Sequence, residues 1–392
     1  MDKEIIFSII VVTYNRLGLL KKCLDSFKNQ TFKDFELFVV DRGSEPDASG
    51  VVSSMNDERF SYIRSSQDVH FCDIGNDVVN KTKGKYLCVF GDDDVIHKSA
   101  LEIVNAAFDK NKDCDIAVIG SVALYSCDVQ PKIFIPSDFS SQSDFPYFKP
   151  DLKIFKFPGK EYLQWMLSAQ YIGPKASKCF PSWIHPSTFF IRKSENYEKV
   201  VKNQKGIMVK PSFDAGYLGV AYYTNMLFIN APLCVIKRGN NVSSAPRRIW
   251  NVETQDIKYM PKISHLENRG ADSILNVLYL NNIQNEFDIK IQQSLYKKML
   301  RDILYDSVWD KQTYQDIKTL APYYISNAKH KVSAAFKYMF YVLKALISRR
   351  KKRKLVAMKN FMYESLDCTD VLKMLDSIYI NQIDNIKKIL NG

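Results

Sequence analysis

The sequence lacks several patterns by which common protein classes are recognised. Its eight cysteines form no CxxC pair, and several lie in apolar runs. This favours reduced thiols in the cytosol over a disulfide framework or a zinc site. No Gly-x-Gly-x-x-Gly follows the first strand, which argues against a dinucleotide-binding Rossmann site, and the absence of the P-loop pattern excludes a P-loop. No apolar stretch reaches the roughly 18 residues of a membrane span, and no signal peptide is visible.

The composition is that of an ordinary large globular protein. The chain has 392 residues, of which 46% are hydrophobic and 25% are charged. This length suits one large domain with a smaller one, or two domains of similar size. The net charge of +12 indicates an anionic partner, although it does not distinguish nucleic acid, lipid and nucleotide.

The most informative stretch is an apolar strand that runs into three carboxylates. Residues 86–90 are strand-forming, and Gly91 is followed by Asp92, Asp93 and Asp94. Ligands of open α/β sheets bind where strands end, and adjacent carboxylates repel one another unless a positive charge neutralises them. A hard divalent cation takes oxygen ligands and often completes its shell with substrate phosphates. The alternative is a solvated acidic turn, since Asp is common in turns.

Strands and helices alternate over the first 245 residues. Strands are predicted at 7–12, 36–40, 60–64, 86–90, 116–120, 188–192 and 227–237, the last interrupted at Pro232. Helices are predicted at 17–29, 73–82, 100–108, 160–169 and 212–223. This alternation predicts an α/β fold with a mainly parallel sheet. Residues 121–158 lose periodicity and are predicted to form a long loop over the sheet.

The character of the chain changes past residue 246. Glycine nearly vanishes and helical periodicity dominates, which predicts a helical domain 246–392 behind an α/β domain 1–245. Segment 331–363 holds ten basic residues and no acidic one. Within it, 334–354 combines an apolar face with lysines and a basic cluster, the pattern of an interfacial membrane helix. An ordinary packed helix with a solvated basic end and a nucleic-acid patch are the alternatives.

Four stretches follow one another in the order and at the spacing of a known family. They are Ser8–Arg16 (SIIVVTYNR), Phe35–Asp41 (FELFVVD), Lys83–Tyr86 (KGKY) and Asp92–Asp94 (DDD). Through them the chain resembles the family 2 glycosyltransferases of the GT-A fold that build bacterial surface polysaccharides. The resemblance covers about the first 245 residues and implies a mixed, mainly parallel sheet between helices. It also implies inverting transfer of a sugar from a nucleoside-diphosphate donor, with a UDP-sugar expected, to a hydroxyl of a glycan or lipid-linked saccharide.

The resemblance also assigns candidate site residues. The nucleotide-sugar would be bound by Thr13, Tyr14, Asn15, Arg16, Asp41, Asn76, Asp92 and Asp93. Mn²⁺ or Mg²⁺ would be held by Asp92 and Asp94, although a register with Gly91 at the first motif position stays open. His185 would contact the acceptor or the pyrophosphate, or serve as a third metal ligand, with a structural histidine as the alternative. Asp214, before a predicted helix, matches the catalytic base, with a helix cap as the alternative.

The resemblance finally implies a cellular setting. Such transferases work on lipid-linked acceptors, so we expect a cytoplasmic enzyme that lies at the inner face of the cytoplasmic membrane through 334–354. No nucleic-acid partner is expected, and the oligomeric state is left open. The competing hypothesis is a non-catalytic glycan- or nucleic-acid-binding protein on an α/β scaffold, which would tend to lose the three carboxylates.

Overall fold

The structure is a computed structural model. It describes residues 4–65, 71–125, 132–134, 154–171, 185–208, 214–238 and 368–391. The predicted basic segment 331–363 lies outside these residues, so its structure and its membrane contact stay predictions.

The apolar runs of the sequence form one ten-stranded sheet. Its strands are β1 (Phe7–Thr13), β2 (Phe35–Asp41), β3 (Phe60–Arg64), β4 (Tyr86–Gly91), β5 (Val95–Ile96), β6 (Cys114–Tyr125), β7 (Lys132–Phe134), β8 (Ile154–Pro158), β9 (Phe189–Arg192) and β10 (Asn225–Arg238). They lie in the order β3-β2-β1-β4-β9-β6-β10-β5, with β7 beside β6 and β8 beside β10. Strands β1 to β4 pair in parallel, and so do β6 and β10, whereas β9 is antiparallel to both of its neighbours.

Amphipathic helices cover the sheet. The described helices are α1 (Leu17–Lys28), α2 (Ser49–Ser54), α3 (Phe71–Val79), α4 (Ala100–Lys110), α5 (Gly159–Tyr171), α6 (Glu195–Gln204), α7 (Asp214–Tyr223) and α8 (Cys368–Asn391), with a 3-10 helix at Pro186–Thr188. In α1, Leu20, Leu24 and Phe27 recur at helical spacing and are fully buried. Helices α1, α2, α4 and α8 share one hydrophobic core with the strands, while α7 packs against α5, α6 and β6.

The parallel register brings three strand ends together. Thr13 at the end of β1 lies opposite Asp41 at the end of β2, and Val12 lies opposite Gly91 at the end of β4. The polar stretches that follow these strands therefore share one edge of the sheet, where ligands of α/β proteins bind.

The prediction of a loop over 121–158 is wrong in three places. Strand β6 continues to Tyr125, β7 pairs with β6, and β8 pairs with β10 along its whole length. The pairings of β10 with β6 and β8 join segments far apart in sequence, and such long-range pairing overrides weak local periodicity. The predicted break at Pro232 corresponds to a register irregularity inside a continuous β10.

The last helix, α8, docks on the sheet domain. Its residues Val371, Leu375 and Ile383 are buried in the same core as the strands, beside α4, β5 and β10. An ion pair of 2.7 Å joins Lys387 to Glu102 of α4. The boundary between 1–245 and 246–392 stays a prediction. Among the described residues, no helix is long and apolar enough to cross a membrane.

Candidate active site

The three consecutive carboxylates sit in a tight turn between β4 and β5. The backbone N–H of Asp94 donates to the carbonyl oxygen of Gly91 at 3.3 Å, which closes the turn. A Cβ atom at Gly91 would lie 2.9 Å from Asp94 Oδ2 and 3.0 Å from Asp93 Oδ1. Glycine at this position therefore leaves the space that two neighbouring carboxylates need.

Asp92 and Asp93 face one arginine. Arg16 Nη1 lies 3.0 Å from Asp92 Oδ1 and 3.4 Å from Asp93 Oδ2. The second oxygen of Asp92 accepts a 2.7 Å hydrogen bond from the Thr13 hydroxyl. Two of the residues predicted to line the base and ribose pocket, Thr13 and Arg16, thus contact the carboxylate turn.

Asp94 belongs to a second group of contacts. Its Oδ2 accepts a hydrogen bond from the Ser187 hydroxyl, and its Oδ1 accepts one from the backbone N–H of Lys237 at 3.0 Å. His185 Nδ1 lies 3.4 Å from Asp94 Oδ2. The structure thus brings the predicted metal ligands Asp94 and His185 together, and it groups Asp92 with Asp93. The pairing of Asp92 with Asp94 on one cation stays a prediction.

Burial makes the negative charge of this turn costly. Burial, and to a smaller extent the nearby Asp93, raise the pKa of Asp92 to about 6, although Arg16 acts in the opposite direction. Burial and Asp93 also raise the pKa of Asp94 well above its usual range, against the lowering effect of the Ser187 hydrogen bond. A positive charge placed at these oxygens is therefore favourable.

Asp41 holds the loop that follows β2. Burial on its own raises the pKa of this carboxyl, but its hydrogen bonds outweigh burial and the pKa is lowered. These bonds come from the Ser44 side chain, from the backbone N–H groups of Ser44 at 2.8 Å and Ala48 at 2.9 Å, and from the Tyr62 hydroxyl at 3.0 Å. The carboxylate is fully buried. Its contact with a nucleotide base stays a prediction, and its observed contacts shape the loop.

Asn15 fastens the same loop to the end of β1. It has a positive φ of 53°, a conformation that Asn tolerates better than most residues. Its backbone N–H donates to Ser44 Oγ at 2.9 Å, and its side-chain oxygen accepts from the Glu45 N–H at 2.8 Å. Tyr14, beside it, is half-buried. Hydrogen bonds therefore connect the end of β1 to the loop after β2, and these two segments line the predicted nucleotide pocket.

Asn76 of α3 makes a two-point contact with the backbone of Met208. Its Nδ2 donates to the Met208 carbonyl and its Oδ1 accepts from the Met208 N–H, both at 2.9 Å. The predicted nucleotide-binding role of Asn76 stays untested. The observed contact joins α3 to the segment after α6.

Asp214 is the first residue of α7, which agrees with its predicted place at the start of a helix. Tyr217, one turn later, has its ring 4.1 Å from that of Phe189, which follows the 3-10 helix carrying Ser187. The start of α7 is thereby packed beside the element that contacts Asp94. The side chain of Asp214 lies outside the described side chains, and its role as a base stays a prediction.

The donor set of the turn fits a divalent cation. Asp92 and Asp93 offer carboxylate oxygens that share one positive partner, and Asp93 keeps 15% of its side chain exposed. Mg²⁺ typically takes one or two carboxylates and completes its shell with water and phosphates. Among the described residues, no cluster of three or more His, Cys, Asp or Glu has the arrangement of a complete metal site.

Comparison with known families shows a sequence match that includes this site. Residues 8–149 match the sequence profile described as "Glycosyl transferase family 2". The match covers just over a third of the chain, and this part is similar to the glycosyl transferases of family 2. The matched segment contains β1, β4 and the carboxylate turn. The GT-A fold expected from the resemblance, with its mixed sheet between helices, is confirmed.

Curated relatives carry glycosyltransferase names. An "Uncharacterized glycosyltransferase" of Methanocaldococcus jannaschii is 29% identical over 120 residues, which are 30% of this chain and 41% of that protein. The "GalNAc(5)-diNAcBac-PP-undecaprenol beta-1,3-glucosyltransferase" of Campylobacter jejuni is 29% identical over 160 residues, 39% of this chain and 49% of that protein. The matches thus span less than half the length of these two relatives.

Two solved structures align with this chain. The crystal structure of S. aureus TarS 1-349 in complex with UDP-GlcNAc aligns with a TM-score of 0.49 at 14% identity, covering 88% of this chain and 92% of that one. The mannosyltransferase PcManGT from Pyrobaculum calidifontis, in complex with GDP-Man and Mn²⁺, aligns with a TM-score of 0.37 at 12% identity, covering 98% and 84%.

Sequence reasoning missed Ser187, which touches the site. Its hydroxyl accepts from the Gly91 N–H at 2.9 Å and donates to Asp94, so it spans both ends of the carboxylate turn. The available signal was the polar stretch of residues 185–188 directly before a strand. His97 was missed as well, because its partner Asp376 lies 279 residues away.

Proposed function

We propose that this protein is a metal-dependent, inverting glycosyltransferase that transfers a sugar from a nucleoside-diphosphate donor to a hydroxyl of a glycan or lipid-linked saccharide. The observation that carries the proposal is the buried carboxylate turn. It lies at the shared carboxyl edge of β1 and β4, inside the segment that matches the family. Such an edge is where α/β enzymes bind nucleotides.

The donor would lie across the edge formed by residues 13–16, the loop after β2 and the carboxylate turn. The hydrogen bonds of Asn15 and Asp41 hold this loop in place before a ligand arrives, and preorganisation lowers the entropic cost of binding. Directed polar groups at strand ends suit the base and ribose of a nucleotide. A UDP-sugar is the first donor to test.

The cation, Mn²⁺ or Mg²⁺, would be held by Asp92 with Asp93 or Asp94. When bound, it supplies Lewis-acid stabilisation of the negative charge on the departing diphosphate. Asp92 is oriented for this task by the Thr13 hydroxyl, which fixes one of its two oxygens. Asp94 is fixed likewise by the Ser187 hydroxyl and the Lys237 backbone N–H.

Inversion needs one general base and no covalent intermediate. Asp214 would take the proton from the acceptor hydroxyl as that oxygen attacks the anomeric carbon, which requires direct hydrogen-bond reach. The packing of Tyr217 on Phe189 supports this assignment, because it sets the first turns of α7 beside the Ser187 element. Because no covalent intermediate is formed, no second, nucleophilic carboxylate is required.

The acceptor is proposed to be a lipid-linked saccharide of a bacterial surface polysaccharide. The name of the Campylobacter jejuni relative contains an undecaprenol-linked glycan, which is an acceptor of this class. The basic amphipathic segment 334–354 would hold the enzyme on the anionic inner face of the cytoplasmic membrane. Unchanged binding to anionic liposomes after deletion of residues 336–354 would contradict this part of the proposal.

Ligand-dependent melting tests the donor site. The thermal midpoint is measured with UDP, GDP, CDP and ADP, each with and without Mn²⁺. A ligand at about 100 times its dissociation constant adds about 2.7 kcal/mol of stability, which corresponds to roughly 3 °C for a protein of this size. We expect one diphosphate to raise the midpoint only when Mn²⁺ is present.

A matched pair of variants tests whether the rise in the thermal midpoint depends on the carboxylate turn. Asp92→Asn keeps the shape of the side chain and removes one charge, so it should abolish the shift. Asp25→Asn removes the same charge from the exposed face of α1, where Asp25 pairs with Lys21, and should leave the shift intact. If no diphosphate moves the midpoint with or without Mn²⁺, the transferase proposal fails.

A further inference from the structure

The guanidinium of Arg16 occupies the side of the carboxylate turn on which a cation would bind. One nitrogen, Nη1, contacts both Asp92 Oδ1 and Asp93 Oδ2. Arginine forms its strongest carboxylate pairs when two nitrogens meet the two oxygens of one carboxylate. A single nitrogen shared between two carboxylates is a weaker arrangement, which a stronger competitor can replace.

The backbone of Arg16 is fixed while its side chain reaches the solvent. Its carbonyl oxygen accepts hydrogen bonds from the N–H groups of Leu19 and Leu20 at 3.0 and 2.9 Å, at the start of α1. The side chain of Arg16 is 21% exposed, whereas Asp92 is buried. The guanidinium can therefore turn about its side-chain bonds at the open rim, without any movement of the helix or of Asp92.

Charge makes Arg16 and a divalent cation competitors. Both would take Asp92 Oδ1 and Asp93 Oδ2, the atoms that Arg16 contacts, and two positive groups at this spacing repel each other. A guanidinium displaced from these oxygens would remain at the rim, where the proposed donor presents its diphosphate. Arginine recognises phosphate well because its planar fork donates several hydrogen bonds at once.

We propose that Arg16 is the resident counterion of the carboxylate turn, that a divalent cation displaces it, and that the displaced guanidinium then binds the diphosphate of the donor. The first half concerns the cation alone. The second half rests on the proposed transferase function. Arg16 would thus couple the two ligands, since the cation frees the group that recognises the nucleotide.

The two halves of the proposal predict opposite changes in affinity for Arg16→Gln, which is tighter binding of Mn²⁺ and weaker binding of UDP. Mn²⁺ binding is measured without nucleotide, by the electron paramagnetic resonance signal of free Mn²⁺, for the full chain and for Arg16→Gln. Loss of the competing charge should tighten Mn²⁺ binding about tenfold or more. UDP binding is then measured by calorimetry at saturating Mn²⁺, and Arg16→Gln should bind UDP about tenfold more weakly.

Three further variants control for charge and folding. Arg16→Lys keeps the charge and should bind Mn²⁺ much as the unaltered protein does. Lys21→Gln removes one positive charge from the exposed face of the same helix and should leave both affinities unchanged. Arg16→Met removes the charge with a different shape and should repeat the result of Arg16→Gln, which guards against a folding defect in one variant.

Specific outcomes overturn each half. Unchanged or weaker Mn²⁺ binding by both uncharged variants overturns the counterion role. Tighter Mn²⁺ binding with unchanged UDP affinity overturns the diphosphate role. If the unaltered protein binds Mn²⁺ but no nucleoside diphosphate, the proposed transferase function and the diphosphate role both fail, while the Mn²⁺ comparison still decides the counterion role.

Discussion

Removal of the Asp376 carboxylate should loosen the attachment of α8 to the sheet domain. Asp376 Oδ1 lies 2.9 Å from His97 Nε2, and its Oδ2 accepts from Lys98 Nζ at 2.9 Å. His97 Nδ1 accepts from the Ser99 N–H at 3.1 Å, so Nε2 carries the proton and donates to Asp376. His97 is only 2% exposed, and its backbone also pairs with β10.

The magnitude follows from the burial of the two partners. A buried donor that loses its acceptor costs about 1–3 kcal/mol. Asp376 lines a cleft of about 650 Å³ between α1 and α8. Water in this cleft can replace part of the lost bond, so we expect about 1–2 kcal/mol for His97. Lys98 is half exposed, and its pair adds up to about 1 kcal/mol.

Thermal and urea denaturation of Asp376→Ala measure the loss. A decrease of about 1–3 kcal/mol corresponds to roughly 1–4 °C in the midpoint for a chain of this size. Lys98→Met removes only the exposed pair and should cost less than about 1 kcal/mol. Asp370→Asn, at an exposed pair on the same helix, should change stability by less than about 0.5 kcal/mol. A loss in Lys98→Met as large as that in Asp376→Ala would refute the role of His97.

Three other perturbations have defined outcomes. Ser187→Ala should weaken binding of Mn²⁺ with nucleotide about 10- to 100-fold in calorimetry, because it removes the donor that orients Asp94, and Ser187→Thr should restore most of the affinity. Gly84→Ala should lower the unfolding free energy in urea by about 1–3 kcal/mol, because a Cβ would lie 2.5 Å from the Ser8 backbone nitrogen. Burial lowers the pKa of His97 against the raising effect of its carboxylate partner, so the unfolded chain takes up the proton first. Stability should therefore be full above about pH 6.5 and fall as the pH drops below it, and His97→Gln should flatten this dependence in melts at several pH values.

The first half of the sheet could be predicted from the sequence because its signals are local. Strand β3 was predicted with its observed bounds, and the strands within β1 and β4 differ by only one residue from those observed. Strands β1 and β4 are continuous apolar runs that are buried along almost their whole length. The edge of the sheet that carries the carboxylates follows from the same pattern, since parallel strands end together.

The contacts inside the site could not be predicted, because they depend on distant segments. Arg16 was assigned to the base and ribose pocket by resemblance, yet its guanidinium contacts Asp92 across 76 positions of sequence. The residues that fix Asp94 come from 93 and 143 positions further along the chain. No periodicity or spacing in one sequence encodes which polar side chain meets which carboxylate. The same limit explains why β8 was predicted as loop.

The residues that hold the carboxylate turn in place extend beyond the segment that matches the family. The family match ends at residue 149, whereas the hydrogen bonds that orient Asp94 come from Ser187 and from the backbone of Lys237 in β10. Strand β10 is in turn buried against α8, whose Asp376 binds His97 just after β5. A buried carboxylate without its donors is costly and loses its orientation. The carboxylate turn therefore depends on elements well beyond the matched segment, and the docked terminal helix belongs to the scaffold that holds it.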